Sequence, residues 1–529
     1  MVFAKPVRSA GNAMARLAKA LRDGARRDRA MLLLLVSYAL LWTLYGCIAK
    51  SSQDLHPDMA EMISWSRAVG LGYPKHPPLG AWLVRLWFSV FPLEDWSFYL
   101  LAMLMPALAL WIFWRLSADY LDVEKRIFGV VLLMVIPFYN FHALKYNANT
   151  LLIPAWAATT LVFLRSYRGC SVSYGALAGI CAAVSMLAKY WSVFLLAGLI
   201  MAALIDPRRR IYFRSAAPWV TVAVGLAVLA PHLIWIYQHD FMSVQYAMAR
   251  HSAQSVASGI GQFSSYFVDL IAYAAAPVVL VLVLIRPSRA AIVEMIRPPD
   301  REVRLVAVAF WGPLLLPVVA MLASGTAPTA LWSMPAWTLL PVLMLSPPAV
   351  KVEAGKVQVA LAAVAAELLI MLIAAPAIAL AIHRIGVEPA AAHGRLLAAD
   401  TEQAWRNVTS QPLRSVGCDM ADEVVTYAKD RPRALPWRFF NGDVADMVFA
   451  EGRNWPLNPK DPQVSEAELA ASGMALVCSA DRSDWVEAAA ARAARDPSSR
   501  RIEIEARRDF LGFPGRPARY VIFIIPPRT

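Results

Sequence analysis

Three acidic residues near the start of the chain, Asp54, Asp58 and Glu61, stand at i, i+4 and i+7. On a helix Asp58 and Glu61 share one face, and Trp65 continues it. Ionisable groups at the outer end of a span are costly near hydrocarbon and usually face a cavity. The same spacing also suits a helix start, where acidic side chains favour the dipole and Asp58, after Pro57, acts as a cap. A little further on, Gly72-Tyr73-Pro74-Lys75-His76-Pro77-Pro78-Leu79 sets Lys75 beside His76 among prolines. Proline fixes the backbone, so a point charge and a switchable donor are presented together, a pair able to hold a phosphate. The segment reads equally as a rigid turn ahead of a helix from Gly80. Lys189 interrupts a long apolar stretch, as an anion ligand or as an orienting charge in a tight loop. His232, His239, Arg250 and His251 gather around a later stretch. His232, inside the apolar run, reads as a hydrogen-bonded bundle residue, and His239 and Arg250 as site candidates.

These residues must be positioned by a membrane bundle. Of 529 residues 58% are hydrophobic and 17% charged, and the mean hydropathy is +0.48. Soluble domains carry about a quarter charged residues. Apolar runs of the length that crosses about 30 Å of hydrocarbon recur along the chain. We expect eleven spans, at 31–49, 97–115, 127–144, 150–165, 173–188, 190–205, 217–237, 267–285, 305–323, 333–348 and 357–383. The fifth and sixth form one apolar stretch, split at Lys189 because together they overshoot a single crossing. Counting basic residues supports the split. With the N-terminus in the cytoplasm, inner segments hold 24 Lys and Arg and outer loops before residue 384 hold 7, the bias of the positive-inside rule. Merging the two spans would place Arg208–Arg210 outside. The run Met31–Ala49 is longer than a signal-peptide core, so it reads as a retained span behind a basic cytoplasmic tail, residues 1–30. Residues 13–22 read as an amphipathic helix on the inner surface or as a disordered tail. The loop 50–96, outside by this count, carries Trp65, Tyr73, Trp82, Trp87, Phe88 and Trp96, the pattern of helices lying at the interface.

After the membrane part, residues 31–385, composition turns soluble. Helix-like stretches at 402–409, 421–429, 465–471 and 484–495 alternate with strand-like runs at Leu413–Cys418, Met474–Cys478, Arg501–Ala506 and Tyr520–Ile525, which predicts a small α/β domain over 386–529. Eleven spans place it outside the cytoplasm, where a bridge between Cys418 and Cys478 can form, although sequence does not fix their distance. The net charge of +13 lies in the membrane half, since 20 basic and 20 acidic residues follow from Arg384 onward. Orientation and anionic membrane lipids explain it, and nucleic-acid binding is not needed.

Asp58-Met-Ala-Glu-Met-Ile-Ser-Trp65-Ser66, followed by Gly72-Tyr73 and His76-Pro77-Pro78-Leu79, resembles the first-loop signature of bacterial C-type glycosyltransferases, in particular the protein O-mannosyltransferases and the lipid A aminoarabinose transferases. Weaker likenesses follow in the same order: Lys145-Tyr146-Asn147-Ala148-Asn149, Leu187-Ala188-Lys189-Tyr190, Trp235 to His239, and Leu331-Trp332 to Pro335-Ala336. The resemblance covers roughly residues 31 to 350. It implies a mainly α, polytopic membrane bundle in a bacterial inner membrane, a polyprenyl-phosphate sugar donor, an envelope lipid or glycan as acceptor, and inverting transfer at the outer face. Carried over, Asp58 is the base, and Lys189, Lys75, His76 and Arg250 are candidates to stabilise the leaving phosphate. Glu61, Lys145, Asn147, Asn149, Tyr190, His239 and Trp332 complete the expected substrate-binding set.

The chain departs from the pattern at three places. Met59 stands where a glutamate often follows the aspartate, Lys75 where an acidic residue often precedes His-Pro-Pro, and Asn149 where the second loop has an aspartate. With fewer carboxylates, the expectation is transfer without a cofactor, although Glu61, His76 and His239 could rebuild a divalent-metal site. Two other classes compete. A transporter or flippase of a lipid-linked glycan would show related halves and mid-membrane charges, whereas here no repeat is clear and the polar candidates gather at one face. An inactive scaffold would be consistent with the lost acidic positions.

Overall fold

The computed structural model describes residues 4–250, 256–324, 329–435 and 466–528. His251 and the side chain of Arg250 lie outside the described residues. The chain divides into two compact units.

The first unit, Met1–Tyr45, Phe98–Leu233 and Arg250–Ile373, is a helix bundle. Each apolar stretch expected from the sequence is helical. Among the described residues, six helices are long and apolar enough to cross a membrane: Arg27–Ala49, Asp95–Ser117, Ala217–Gln238, Ser264–Leu284, Arg301–Ala320 and Ala354–Ile385. The others are shorter or bent. Val172–Ala188 and Ser192–Ile205 have 17 and 14 residues, about 25 and 21 Å at the helical rise, below the roughly 30 Å of a bilayer core. The break between them falls at Lys189, whose extended backbone ends the first helix. Where crossing 127–144 is expected, Val123–Met134 meets Pro137–Leu144 at 83°. Pro137 supplies no N–H and disfavours a helical residue before it. The carbonyls freed at this bend are satisfied inside the bundle, as hydrocarbon requires. Tyr38 Oη donates to the carbonyls of Met134 and Tyr139, and the buried Asn140 Nδ2 also donates to Met134. Close packing elsewhere rests on small residues. A Cβ at Gly179 would lie 2.4 Å from the Thr221 carbonyl, and one at Gly198 would lie 2.8 Å from Pro313. The N-terminal segment is helical from Ala4 to Arg22, and its Ala18 and Leu21 are fully buried.

The second unit gathers Gly46–Ser97, Ile234–Ala249 and Ala374–Thr529. Among the described residues its strands are β1 Ser415–Gly417, β2 Arg433–Ala434, β3 Met474–Ser479, β4 Arg500–Ala506, β5 Asp509–Phe510, β6 Phe513–Pro514 and β7 Ala518–Ile525. Five of them form a mixed sheet in the order β2-β1-β3-β7-β4, parallel from β2 to β3 and antiparallel beyond, and β5–β6 is a separate hairpin. Alternation along β7 serves both faces of the sheet. Tyr520, Ile522 and Ile524 pack under helices Pro389–Arg406 and Ala421–Tyr427, whereas Val521, Phe523 and Ile525 pack under Glu466–Ser472 and Ser483–Ala493. Cys418 and Cys478 are joined by a disulfide.

The loop between the first two long helices is built into this unit. Asp54, with its side chain 1% exposed, does not belong to the first-loop helix, which starts at Pro57. Its carboxylate pairs with Arg508 and Arg395 and accepts the Arg395 amide, and its own amide donates to the Ala391 carbonyl. Arg395 also holds Asp95 at 2.7 Å, and Tyr427 Oη links Asp95 to the Leu55 amide. Arg67 donates to the carbonyls of Val425 and Pro432.

Candidate active site

The candidates read from the sequence divide between the two units. Asp58, Glu61, Lys75, His76 and His239 lie in the second, and Lys145, Asn147, Asn149, Lys189, Tyr190, Arg250 and Trp332 in the first.

In the second unit, Pro57–Arg67 is a helix because Pro57 pre-sets its first turn and His56 caps it. The His56 Nδ1 accepts the Asp58 amide at 3.1 Å. Asp58 is therefore not the cap. Its carboxylate lies in the first turn, partly exposed, 3.9 Å from His56 Nδ1. One turn later, Glu61 meets Lys75 at 2.5 Å. Burial pushes the Glu61 carboxyl up to about 7; Lys75 opposes that shift, and Asp422 and Asp58 add to it. Burial works against the Lys75 ammonium too, but Glu61 and Tyr246 more than offset it and hold it above the ordinary lysine value.

The turn that delivers Lys75 is rigid. Trp65 and Tyr73 stack at 5.1 Å with their planes 5° apart, Tyr73 Oη donates to Ala68, and the Tyr73 amide donates to the His76 carbonyl. His76 packs edge-on to Trp65 at 6.1 Å. Gly72 lies flat on Trp235, where a Cβ would come within 2.3 Å of the indole. Trp235 in turn stacks on His239 at 4.3 Å, and His239 Nδ1 donates to the Trp235 carbonyl at 2.8 Å. Two stretches far apart in sequence, Gly72-Tyr73 and Trp235–His239, thus form one packed cluster.

Sequence reasoning missed Asp422. It lies on the Ala421–Tyr427 helix near Ser64, and is close enough to Glu61 and Lys75 to shift both. Burial raises its carboxyl and, more strongly, that of the buried neighbour Glu423. Locally, Asp422-Glu423 reads only as an acidic helix start, so no sequence signal pointed to it.

In the first unit, Lys189 Nζ donates to Asn149 Oδ1 at 2.8 Å and lies 4.7 Å from the Trp332 ring centroid. Asn149 is placed by Asn147, whose side chain caps the following helix through the amides of Asn149 and Thr150. The Lys145 carbonyl accepts Thr150 Oγ1 at 2.6 Å. Trp332 is braced by Trp191 at 4.5 Å. Tyr190 Oη and His232 Nε2 are 3.0 Å apart, so His232 serves the bundle. Arg250 ends the helix Met242–Arg250. An amide oxygen and an indole face both favour an ammonium and orient it.

Superposition decides the architecture. The chain matches ArnT from Cupriavidus metallidurans bound to undecaprenyl phosphate with a TM-score of 0.60 at 14% identity, over 93% of this chain and 97% of that one. The fold is that of ArnT. The apo form of the same ArnT matches with a TM-score of 0.55. A family model described as dolichyl-phosphate-mannose-protein mannosyltransferase matches residues 75–235. That range holds Lys75, His76, Lys145, Asn147, Asn149, Lys189 and Tyr190; Asp58 and Glu61 precede it. Two relatives come from Rhizobium johnstonii. The lipopolysaccharide core galacturonosyltransferase RgtB is 27% identical over 353 residues, 63% of this chain and 68% of that protein. The lipid A galacturonosyltransferase RgtD is 24% identical over 322 residues, 59% of this chain and 65% of that protein. The matches thus span about two thirds of each relative's length.

Proposed function

We propose that this chain is an envelope glycosyltransferase of a bacterial inner membrane, transferring a sugar from polyprenyl phosphate to a hydroxyl or phosphate of an envelope lipid or glycan, with inversion. The observation that carries the reading is the Lys189 ammonium held by Asn149 and Trp332, in a fold shared with a protein solved bound to undecaprenyl phosphate. Asp58 takes the proton of the acceptor hydroxyl, the acceptor oxygen bonds to the anomeric carbon from the opposite face, and the bond from that carbon to the phosphate oxygen breaks. Polyprenyl phosphate leaves with the bonding pair, and Lys189 stabilises the charge that develops on it. In this reading cationic side chains do this work without a divalent ion, with Glu61 already paired to Lys75. The similar galacturonosyltransferases support lipid A or lipopolysaccharide core as the acceptor class. The basic-residue bias supports a cytoplasmic N-terminus with the first loop and the C-terminal domain outside.

The test incubates purified protein with a panel of polyprenyl-phosphate sugars, galacturonate and aminoarabinose included, and with lipid A and core acceptors. Wild type should transfer one of them, chelator should leave the rate unchanged, and Asp58→Asn should lower kcat by roughly 100-fold or more. Equal transfer by the variant removes Asp58 from its role. Movement of the donor lipid between leaflets without any transfer would establish a transporter instead.

A further inference from the structure

The hairpin β5–β6 has an unusual tip. Phe510 pairs with Phe513 across a two-residue turn, and both turn residues have left-handed backbones, Leu511 at φ +52° and Gly512 at φ +80°. Such turns favour Asn, Asp or Gly at their first position, and a bulky leucine is strained there. Burial does not repay that strain, because Leu511 is 73% exposed and Phe513 41%. Strain retained at an exposed apolar tip points to something outside the chain that the tip contacts.

The surroundings say what it contacts. His383 Nε2 donates to the Phe513 carbonyl at 2.9 Å, and the Arg384 guanidinium sits 4.8 Å from the Phe513 ring centroid. Both residues belong to the last turn of Ala354–Ile385, a 32-residue helix apolar enough to cross a membrane. The tip is therefore pinned to the end of that helix. From Arg507 to Arg519 four arginines accompany one acid, Asp509. Arg508 is engaged by Asp54, whereas Arg516 lies against Gly386, where a Cβ would meet its side chain at 2.8 Å. Behind the hairpin is a cavity of about 370 Å³ lined by His383, Arg508, Arg516 and Arg519, together with Asp481 and Glu505. An apolar tip ringed by arginines at the end of a span has the composition of an element that seats in the interface of an anionic leaflet.

We infer that this hairpin docks on the bilayer surface. Leu511 and Phe513 enter the boundary between headgroups and acyl chains, and Arg384, Arg507 and Arg516 engage the phosphates of anionic phospholipids. The hairpin fixes the sheet domain against the membrane independently of any catalysis.

The experiment places a nitroxide at Leu511→Cys in the full chain, with Cys47, Cys170 and Cys181 replaced by alanine, in nanodiscs of phosphatidylglycerol or of phosphatidylcholine alone. Glu487→Cys, exposed on the Ser483–Ala493 helix, is the aqueous control. Collision with oxygen relative to a nickel chelate should be several-fold greater at position 511 than at 487 in phosphatidylglycerol. The ratio at 511 should fall by at least half in phosphatidylcholine, and likewise when Arg384, Arg507 and Arg516 become glutamine. Equal ratios at the two positions overturn insertion. A high ratio at 511 that ignores both lipid charge and the glutamine variants overturns the role of anionic headgroups.

Discussion

Glu61 should make the stability of the second unit fall as pH rises, and Glu61→Gln should remove that fall. The carboxyl is mostly buried, 2.5 Å from Lys75, and is pushed by burial from 4.5 to about 7. Below about pH 4.5 it is protonated whether the chain is folded or not, and its full contribution is present. As pH rises toward and through 7, the unfolded chain releases the proton first, so the folded state loses ground. The displacement from 4.5 to about 7 corresponds to about 3 kcal/mol across that window. Lys75 stays charged throughout, because its own value is held above the ordinary one. The assay is chemical denaturation of the detergent-solubilised chain at steps from pH 4.5 to 8, for wild type and for Glu61→Gln. Other carboxyls titrate in both proteins, so the informative quantity is the difference between the two curves. It should change by about 3 kcal/mol in favour of the variant on going from acid to neutral pH. Curves that run parallel across the whole range would refute the reasoning.

Two substitutions test how the first loop is held. Asp54→Ala takes the buried carboxylate from Arg508 and leaves Arg395 with Asp95, and should cost about 3–5 kcal/mol, read by denaturation and by new protease cleavage between residues 50 and 57; a loss below about 1 kcal/mol would refute the clamp. Gly72→Ala forces a methyl into Trp235, whose ring lies 2.3 Å from the new atom; it should cost about 1–3 kcal/mol and shift tryptophan emission, and an unchanged melting temperature would contradict the packing.

Much of the bundle was legible because hydrocarbon imposes length and polarity residue by residue. The break at Lys189 followed from an apolar stretch too long for one crossing, and the strands after residue 413 followed from local alternation. The bridge between Cys418 and Cys478 was open as a possibility, but the distance that allows it was not legible, since it depends on β1 and β3 being neighbours in the sheet. At the site, the spacing of Asp58 and Glu61 announced a helix. Nothing local announced that Asp54 would leave it for a clamp 341 and 454 residues away in sequence, or that Lys75 would be claimed by Glu61. Asp422 was hidden for the same reason. Its importance comes from Ser64 and Lys75, which only the fold brings near.

The clamp on Asp54 also sets an order of events in biosynthesis. Arg508 follows Asp54 by 454 residues, so at about 5–20 residues per second the ribosome needs roughly 20–90 s to supply the partner. Until then the first loop has no folded place, and its helix and rigid turn stand without the sheet domain against which they pack. A chain cut short anywhere before Arg508 inherits that condition permanently. Asp58 and its first-loop neighbours are made early, yet their loop is held only when the segment around Arg508 arrives.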